Sequence, residues 1–534
     1  MLGFLSEFLG VRIMINKFFL SAFTMIFFTF QAMAINCEQN IDLSSFHKDP
    51  KAFLNAPVLK LDENCKKSEY SYFKGSIVES QDFITAKDSF RKSLCHTDKK
   101  TGQRVCLKDI EAGEDVLEGR APIQSVDRAE NLVSSSTVVR NIKSLDQFTS
   151  GKVKKQPWSD WYWPIAVGQL SYRYADNSML TAFQNSGLEG KEAWPWMQDW
   201  HQNNRPTNFV ENLYLSPAEK YDILVGDSNF TFTRSMLSTG QSYYNRAGYV
   251  ETWMGICHGW APASYMLPRP IKTIEVTAVD GYTKVKFRPS DLKSLASQLW
   301  ATGQQQTKII GGRCNKKNPR TDRRTGRILD QECFDNNPGT WHLAVTNQLG
   351  RLQKTFVMDA TYDYEVWNHP VTEYSYTYFN PKTMQEAELE NSILPTSKFS
   401  NDKFRRYRSR NAAYVVGIKM EVKYLVETMP SLNAFDDEST DAFNFAYYTY
   451  DLELDSNFNI IGGEWYTNKH PDFLWTPYEQ SHAVSAVDSY LPSYLDLENL
   501  SLSSLKKYAP YASQRQQPVG KLVEALLEEA STVK

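Results

Sequence analysis

The stretch MINKFFLSAFTMIFFTFQAMA, Met14 to Ala34, constrains this chain most, because it sets the compartment in which the rest must fold. Lys17 precedes an apolar run from Phe18 to Phe30, and Ala32-Met33-Ala34 follows. That is the layout of a secretory signal peptide ending in an A-x-A cleavage site. A short membrane anchor is the alternative, but the run falls below the roughly 20 residues that span a bilayer. Residues 1–13 read as an extended start. The mature chain is expected to begin near Ile35, with no membrane span left after cleavage, and to be secreted, or periplasmic in a bacterium.

Outside the cytoplasm disulfides persist. The chain has seven cysteines. Cys95 with Cys106 could close a hairpin, Cys314 with Cys333 a basic loop, and Cys37 with Cys65 an N-terminal set, although spacing alone does not fix connectivity. Cys257 is left over. An odd thiol in an exported protein is an intermolecular bridge, an inert buried residue or a nucleophile.

The 534 residues allow several domains. A hydrophobic fraction of 41% and a charged fraction of 23% fit a globular chain with a real core. A net charge of −3 gives no field for nucleic acid. The chain divides into 1–34, the signal peptide; 35–150, a small cysteine-bearing region and linker; 151–390, a main domain opening at its tryptophan-rich stretch; and 391–534, a β-rich extension with a terminal helix. A propeptide is one reading of 35–150. Within the main domain, Ser216-Pro217 followed by Glu219 marks a helix start. Asp280-Gly281 between apolar alternations marks a hairpin. Leu292, Leu295 and Leu299 line one helix face with Asp291 as its N-cap. Further on, Ile418, Met420, Val422 and Tyr424 alternate with Lys419, Glu421 and Lys423, the period of a half-exposed strand. Asp455 opens a segment like a calcium loop, but Ile460 stands where glycine is required, so no metal site is expected.

A cysteine nucleophile needs an imidazole to hold its proton and a group to orient that imidazole. Gly255 and Gly259 flank Cys257. If Cys257 opens a helix, the helix N-terminus lowers its pKa and offers N–H groups to an oxyanion. Pro262 then falls near the first turn. His258, the next residue, points away on a helix. His342 sits after the Asn337-Pro338-Gly339 turn, on a segment read as a short strand, and KTFVMDAT carries Asp359 at the end of the next strand. Two adjacent strands could set imidazole and carboxylate side by side. A core histidine and a turn aspartate are the plain alternatives.

Cys257, His342 and Asp359, in that order, are similar to the catalytic set of the transglutaminase core. The blocks LSPAEKYD, GICHGWAPAS, NPGTWHLAVTNQLG, YEVWNHPV and GGEWYTNKHPDFLW, between about Trp158 and Pro477, resemble the transglutaminase elicitor family. YEVWNHPV resembles the peptide that plants recognise in those proteins, with His369 where glutamine is usual. The resemblance implies an α+β, papain-like fold in which a helix-borne cysteine packs on an antiparallel sheet carrying His342 and Asp359. It implies acyl transfer from protein glutamine to lysine or other primary amines through a thioester on Cys257. Its partners would be proteins with accessible Gln and Lys. Trp253, Trp260 and Trp341 would line a hydrophobic tunnel, or else are core. No cofactor is needed for the chemistry. Calcium can matter in the family, and that point stays open. The rival readings are a papain-like peptidase or glutamine deamidase, and a non-enzymatic adhesion or recognition protein.

Overall fold

A computed structural model of the chain describes residues 127–135, 137–175, 194–196, 212–248, 250–312, 319–330, 336–360, 365–467, 470–500 and 503–532, with four short strands upstream. Strands β1 (Leu59–Leu61) and β2 (Lys67–Glu69) pair antiparallel within a separate small unit. Strands β3 (Cys95–Thr97) and β4 (Arg104–Cys106) form a hairpin in which Cys95 and Cys106 are register partners. The signal segment, Cys37, Cys65, Cys314 and Cys333 lie outside the described residues.

The centre is a nine-stranded sheet whose pairings are all antiparallel. Its members are β5 (Ser150–Lys152), β8 (Thr307–Gly311), β9 (Val357–Asp359), β10 (Asn368–Phe379), β11 (Leu394–Pro395), β12 (Tyr414–Val426), β13 (Ala442–Leu454), β14 (Ile460–Trp465) and β15 (Phe473–Pro477). Between β5 and β8 in sequence, β6 (Ile274–Thr277) and β7 (Lys284–Phe287) form the expected hairpin, closed through Asp280, whose side chain accepts from the N–H groups of Tyr282 and Thr283. The order is β14-β13-β12-β10-β9-β15-β8, so the long β10 joins the two halves: its start pairs with β9 and its remainder with β12. The period-two reading of β12 holds. Ile418, Met420 and Val422 are buried while Lys419, Glu421 and Lys423 stay partly exposed.

Alternation gives the sheet two faces. On one face Met358, Tyr376, Met420 and Tyr450 pack with Trp341 in the main core. On the other, Val357 and Trp475 pack with Ala261. Residues 127–150, the end of the segment read as cysteine-bearing region and linker, contribute to the main core: Leu132, Ile142 and Leu145 are buried there, and β5, at the boundary, adds to β10. Burying each such side chain is worth about 1.5–3 kcal/mol, which composition averaged over a window does not register. The sheet also crosses position 390 without a break.

Seven helices matter here. They are α1 (Pro217–Leu224), α2 (Thr231–Ala247), α3 (Cys257–Met266), α4 (Pro289–Thr302), α5 (Pro338–Ala344), α6 (Ser503–Ser513) and α7 (Gly520–Ser531). Helix α1 starts as read, with Ser216 and Glu219 closing a capping box. Its charged residues are buried in pairs: Glu219 with Arg173 at 2.6 Å, and Lys220 with Asp291 at 2.6 Å. Helix α4 begins earlier than read, because Asp291 lies in its first turn and accepts from the Arg288 N–H at 2.7 Å rather than serving as N-cap.

Helices α3 and α4 cross closely at Gly259. A Cβ there would lie 2.1 Å from the Ser297 carbonyl oxygen and 2.6 Å from the Ala301 Cβ. Overpacking a close crossing costs typically 1–3 kcal/mol. Gly259→Ala is therefore expected to lower unfolding stability by about 2 kcal/mol in urea titration. A loss below about 0.5 kcal/mol would show that the two helices are not held this close.

Candidate active site

Cys257 is the first residue of α3. The preceding Ile256 is held by its N–H, which donates to the Tyr162 carbonyl at 2.7 Å, and its own carbonyl accepts from Gly259 and Trp260. Gly255 is required here: a Cβ would meet the Tyr162 carbonyl oxygen at 2.2 Å. Further along α3, the Trp260 indole donates to the Trp158 carbonyl at 3.0 Å, and the Trp158 N–H donates to the Ser264 carbonyl. The segment Trp158–Tyr162 thus lies along the helix and fixes where it begins. Pro262 sits six positions into α3, deeper than the first turn, and removes the N–H that would reach the His258 carbonyl.

The thiol is only 6% exposed. It donates to the Val366 carbonyl and accepts from Asn368 Nδ2, each at 3.6 Å. The Trp475 indole donates to Asn368 Oδ1 at 2.8 Å, and that bond fixes which end of the amide faces sulfur. Asn368 is the register partner of Asp359 across β10 and β9, so the two share a face. One Asp359 oxygen accepts from the Trp367 N–H at 2.9 Å, which steadies the segment leading into Asn368. The Trp367 ring meets Tyr162 edge-on at 5.3 Å and stacks parallel to His369 at 6.5 Å.

Burial pushes the Cys257 thiol up to about 11. Donors from Asn368 pull it down, and the charges of Glu427 and then Asp359 push it further up. The helix N-terminus was expected to depress this value. Desolvation, the largest cause, raises it instead.

The structure does not bring His342 to this sulfur. Asn337-Pro338 caps and starts a helix, not a strand, and His342 lies in α5. Its Nδ1 is 2.9 Å from the Tyr450 hydroxyl and its ring lies edge-on to Tyr376 at 4.9 Å, both on the main-core face of the sheet. Cys257 and Asp359 lie on the other face, with Val357. Burial pulls the His342 imidazole down to about 3, so it is neutral. Helix propensity had a legible signal, the Asn-Pro cap, which the apolar run His342-Leu343-Ala344-Val345 obscured. His258 is exposed, away from its neighbour. Trp260 is core, Trp341 is core across the sheet, and Trp253 is partly exposed with its indole on Glu251 at 2.5 Å.

Val366 and Asn368 bond to the thiol, Trp475 holds Asn368, Trp367 lies between them in sequence and packs on Tyr162, and the charge of Glu427 raises the thiol pKa. Asn368, Trp367 and Trp475 fall inside blocks singled out in the sequence, but their roles rest on pairings across the sheet that no local spacing reveals. Tyr162 and Glu427 carry no local signal. Among the described residues no cluster suited to a metal ion occurs, and no helix is long and apolar enough to cross a membrane.

A sequence profile described as "Transglutaminase elicitor" matches residues 128–506. Among solved structures, the crystal structure of the GP42 transglutaminase from Phytophthora sojae is similar over 70% of this chain and 94% of that one, with 23% identity and a TM-score of 0.44. No curated protein matches the chain.

With the thiol pushed up to about 11, its thiolate fraction at neutral pH is small and grows as pH rises. Peptide-resolved alkylation of native protein by iodoacetamide should be slow at Cys257 near pH 7.5 and climb about tenfold per pH unit toward pH 10. A plateau already reached by pH 8 would contradict this environment.

Proposed function

Because the chain belongs to the transglutaminase elicitor family, we propose that it is an exported protein-glutamine γ-glutamyltransferase with Cys257 as nucleophile. One observation carries the reading: the free cysteine among the described residues opens a buried helix and is held between a carbonyl and a fixed amide donor. An inert core thiol has no need of an indole locking its partner's amide.

In this reading the sulfur adds to the carboxamide carbon of a protein glutamine. Ammonia leaves, and the thioester is resolved by a lysine amine, or by water where none is present. Asn368 Nδ2 and the N–H groups opening α3 are the donors at hand for the oxyanion. Asp359 acts as a positioning residue through Trp367. His342, neutral and across the sheet, keeps the role of a core hydrogen-bond partner to Tyr450. The buried surroundings of the thiol favour amine over water once an acceptor protein displaces the Val366 cover. The Met14–Ala34 segment supports export. Within 35–150, the burial of Leu132, Ile142 and Leu145 in the main core limits a removable propeptide to residues before 127, and calcium is a candidate effector.

Incorporation of a fluorescent primary amine into a glutamine-rich acceptor protein tests the reading. Cys257→Ala should cut the rate by at least about 10³-fold. Cleavage products without amine incorporation would favour the peptidase, and unchanged activity of the variant would remove the nucleophile.

A further inference from the structure

Helix α3 meets the sheet through one stripe. Cys257, Ala261 and Tyr265 recur at i, i+4 and i+8 and share a helix face. Ala261 packs with Val357 and Trp475, and the Tyr265 and Thr476 hydroxyls are 3.1 Å apart. Trp475 on β15 is the register partner of Val357 on β9. Asp359, further along β9, is that of Asn368 on β10. Trp475, Val357, Asp359 and Asn368 therefore stand on one face, and the indole reaches across β9 to the Asn368 amide. Its packing with Ala261 and Val357 holds the ring in that direction.

A side-chain amide presents a donor at one end and an acceptor at the other, so its two orientations act on a neighbouring thiol in opposite senses. Nδ2 donates to the sulfur and favours the thiolate, whereas Oδ1 would accept from S–H and favour the neutral thiol. An indole N–H only donates. The 2.8 Å bond from Trp475 therefore requires Oδ1 to face β15, which leaves Nδ2 toward Cys257, 3.6 Å from the sulfur. The S–H is directed at the Val366 carbonyl, so the sulfur is free to accept. Cys257, Asn368 and Trp475 are all buried, and the choice of end is made by protein groups rather than by water. The backbone N–H of Asn368 adds to the pull of Nδ2, against the charges of Glu427 and Asp359, which push the thiol up.

Resting on the transferase reading, we propose that Trp475 is a positioning residue for the nucleophile: by holding Oδ1 of Asn368, it keeps an N–H donor aimed at the Cys257 sulfur through both halves of acyl transfer. The sulfur carries negative charge twice in that cycle, before it bonds to the carboxamide carbon and again as it leaves the thioester carbon. A donor fixed in advance stabilises that charge with no reorganisation at the moment of reaction. Released from the indole, the amide is free to turn Oδ1 to the sulfur, and the same residue then opposes the thiolate. Trp475 acts here wholly through Asn368, and that dependence is what a double-mutant cycle reads.

The test compares the full chain with Trp475→Phe, which keeps an apolar ring but has no N–H, with Asn368→Ala, and with the double variant. Peptide-resolved alkylation of Cys257 by iodoacetamide at about pH 9 follows the thiolate fraction. Each single variant should slow it by about tenfold, the effect of one pKa unit. The double variant should stay within about threefold of Asn368→Ala alone. Loosened packing does the opposite, because exposing the sulfur speeds alkylation. In amine incorporation, Trp475→Phe should lower kcat by about tenfold and leave KM within about twofold. Alkylation unchanged or faster in Trp475→Phe, or a double variant more than about threefold slower than Asn368→Ala, overturns the proposal. Should Trp475→Phe fail to fold, Asn368→Ala decides: a loss of about tenfold supports the proposal, and a wild-type rate overturns it by leaving no donor to position. If the wild-type chain incorporates no amine, the transferase reading fails, and the alkylation cycle still decides whether the indole sets the amide.

Discussion

One hydrogen bond, from the Ile256 N–H to the Tyr162 carbonyl, sets the geometry of the site. It fixes the residue before Cys257, and with it the first turn of α3. The bond forms only because Gly255 leaves room for the Tyr162 carbonyl, which would otherwise lie 2.2 Å from a Cβ. The same short segment reaches the other way: Trp158 lies on α3, Ser159 and Asp160 grip the backbone around Glu427, and Tyr162 packs on Trp367. Helix and sheet thus approach the sulfur from a shared support. That support is itself anchored by buried charge: Lys293 donates to the Ser159 carbonyl at 2.9 Å and pairs with Asp436 at 2.6 Å.

The electrostatics around Cys257 are those of a closed resting state. A thiol raised to about 11 by burial, with two carboxyl groups nearby, is stable as the neutral species. Glu427 is raised to about 7 by the same desolvation, so near neutral pH it changes charge while the thiol does not. Its folded value lies above the ordinary 4.5, so ionising it opposes folding. The stabilisation present below pH 4.5 is lost as pH rises to about 7. Asp127, Asp160 and Glu464 are raised to about 7 by the same burial, so this cost is shared among several buried carboxyl groups of the fold.

Much of the scaffold was legible because local and global signals agreed. The capping box at Ser216, the turn at Asp280-Gly281, the alternation in β12 and the terminal helix each appear where their chemistry placed them. Cys257 at a helix start was read as a condition and is met, as the first residue of α3. The base was not legible. His342 sits after a turn, as a strand histidine would, but Asn337 caps a helix and Pro338 opens it, so the ring enters the opposite core. The packing of residues 127–150 was missed for a different reason. They are polar on average, and the few apolar side chains that dock them are spread over many positions. Long-range pairing is the common thread. Asn368 meets Cys257 across 111 positions and Trp475 meets Asn368 across 107, and neither pair leaves a local trace.

The two faces of the sheet divide the work. The main-core face is filled by Trp341, Tyr376, Tyr448 and Tyr450, with the neutral His342 ring bonded among them. The other face is thinner, and its apolar cluster is small: Ala261, Val357 and Trp475. Polar groups that would be costly in the main core are tolerated beside it because they satisfy one another, amide to indole and carboxylate to backbone. Strand β9 shows the division within three residues. Met358 packs in the main core, while Val357 packs with Ala261 and Trp475 on the other face, which Asp359 shares with Asn368, so a one-residue slip of β9 would exchange them. The register of β9 against β10 is therefore under two independent constraints, one from packing and one from the site, and each requires the same alignment.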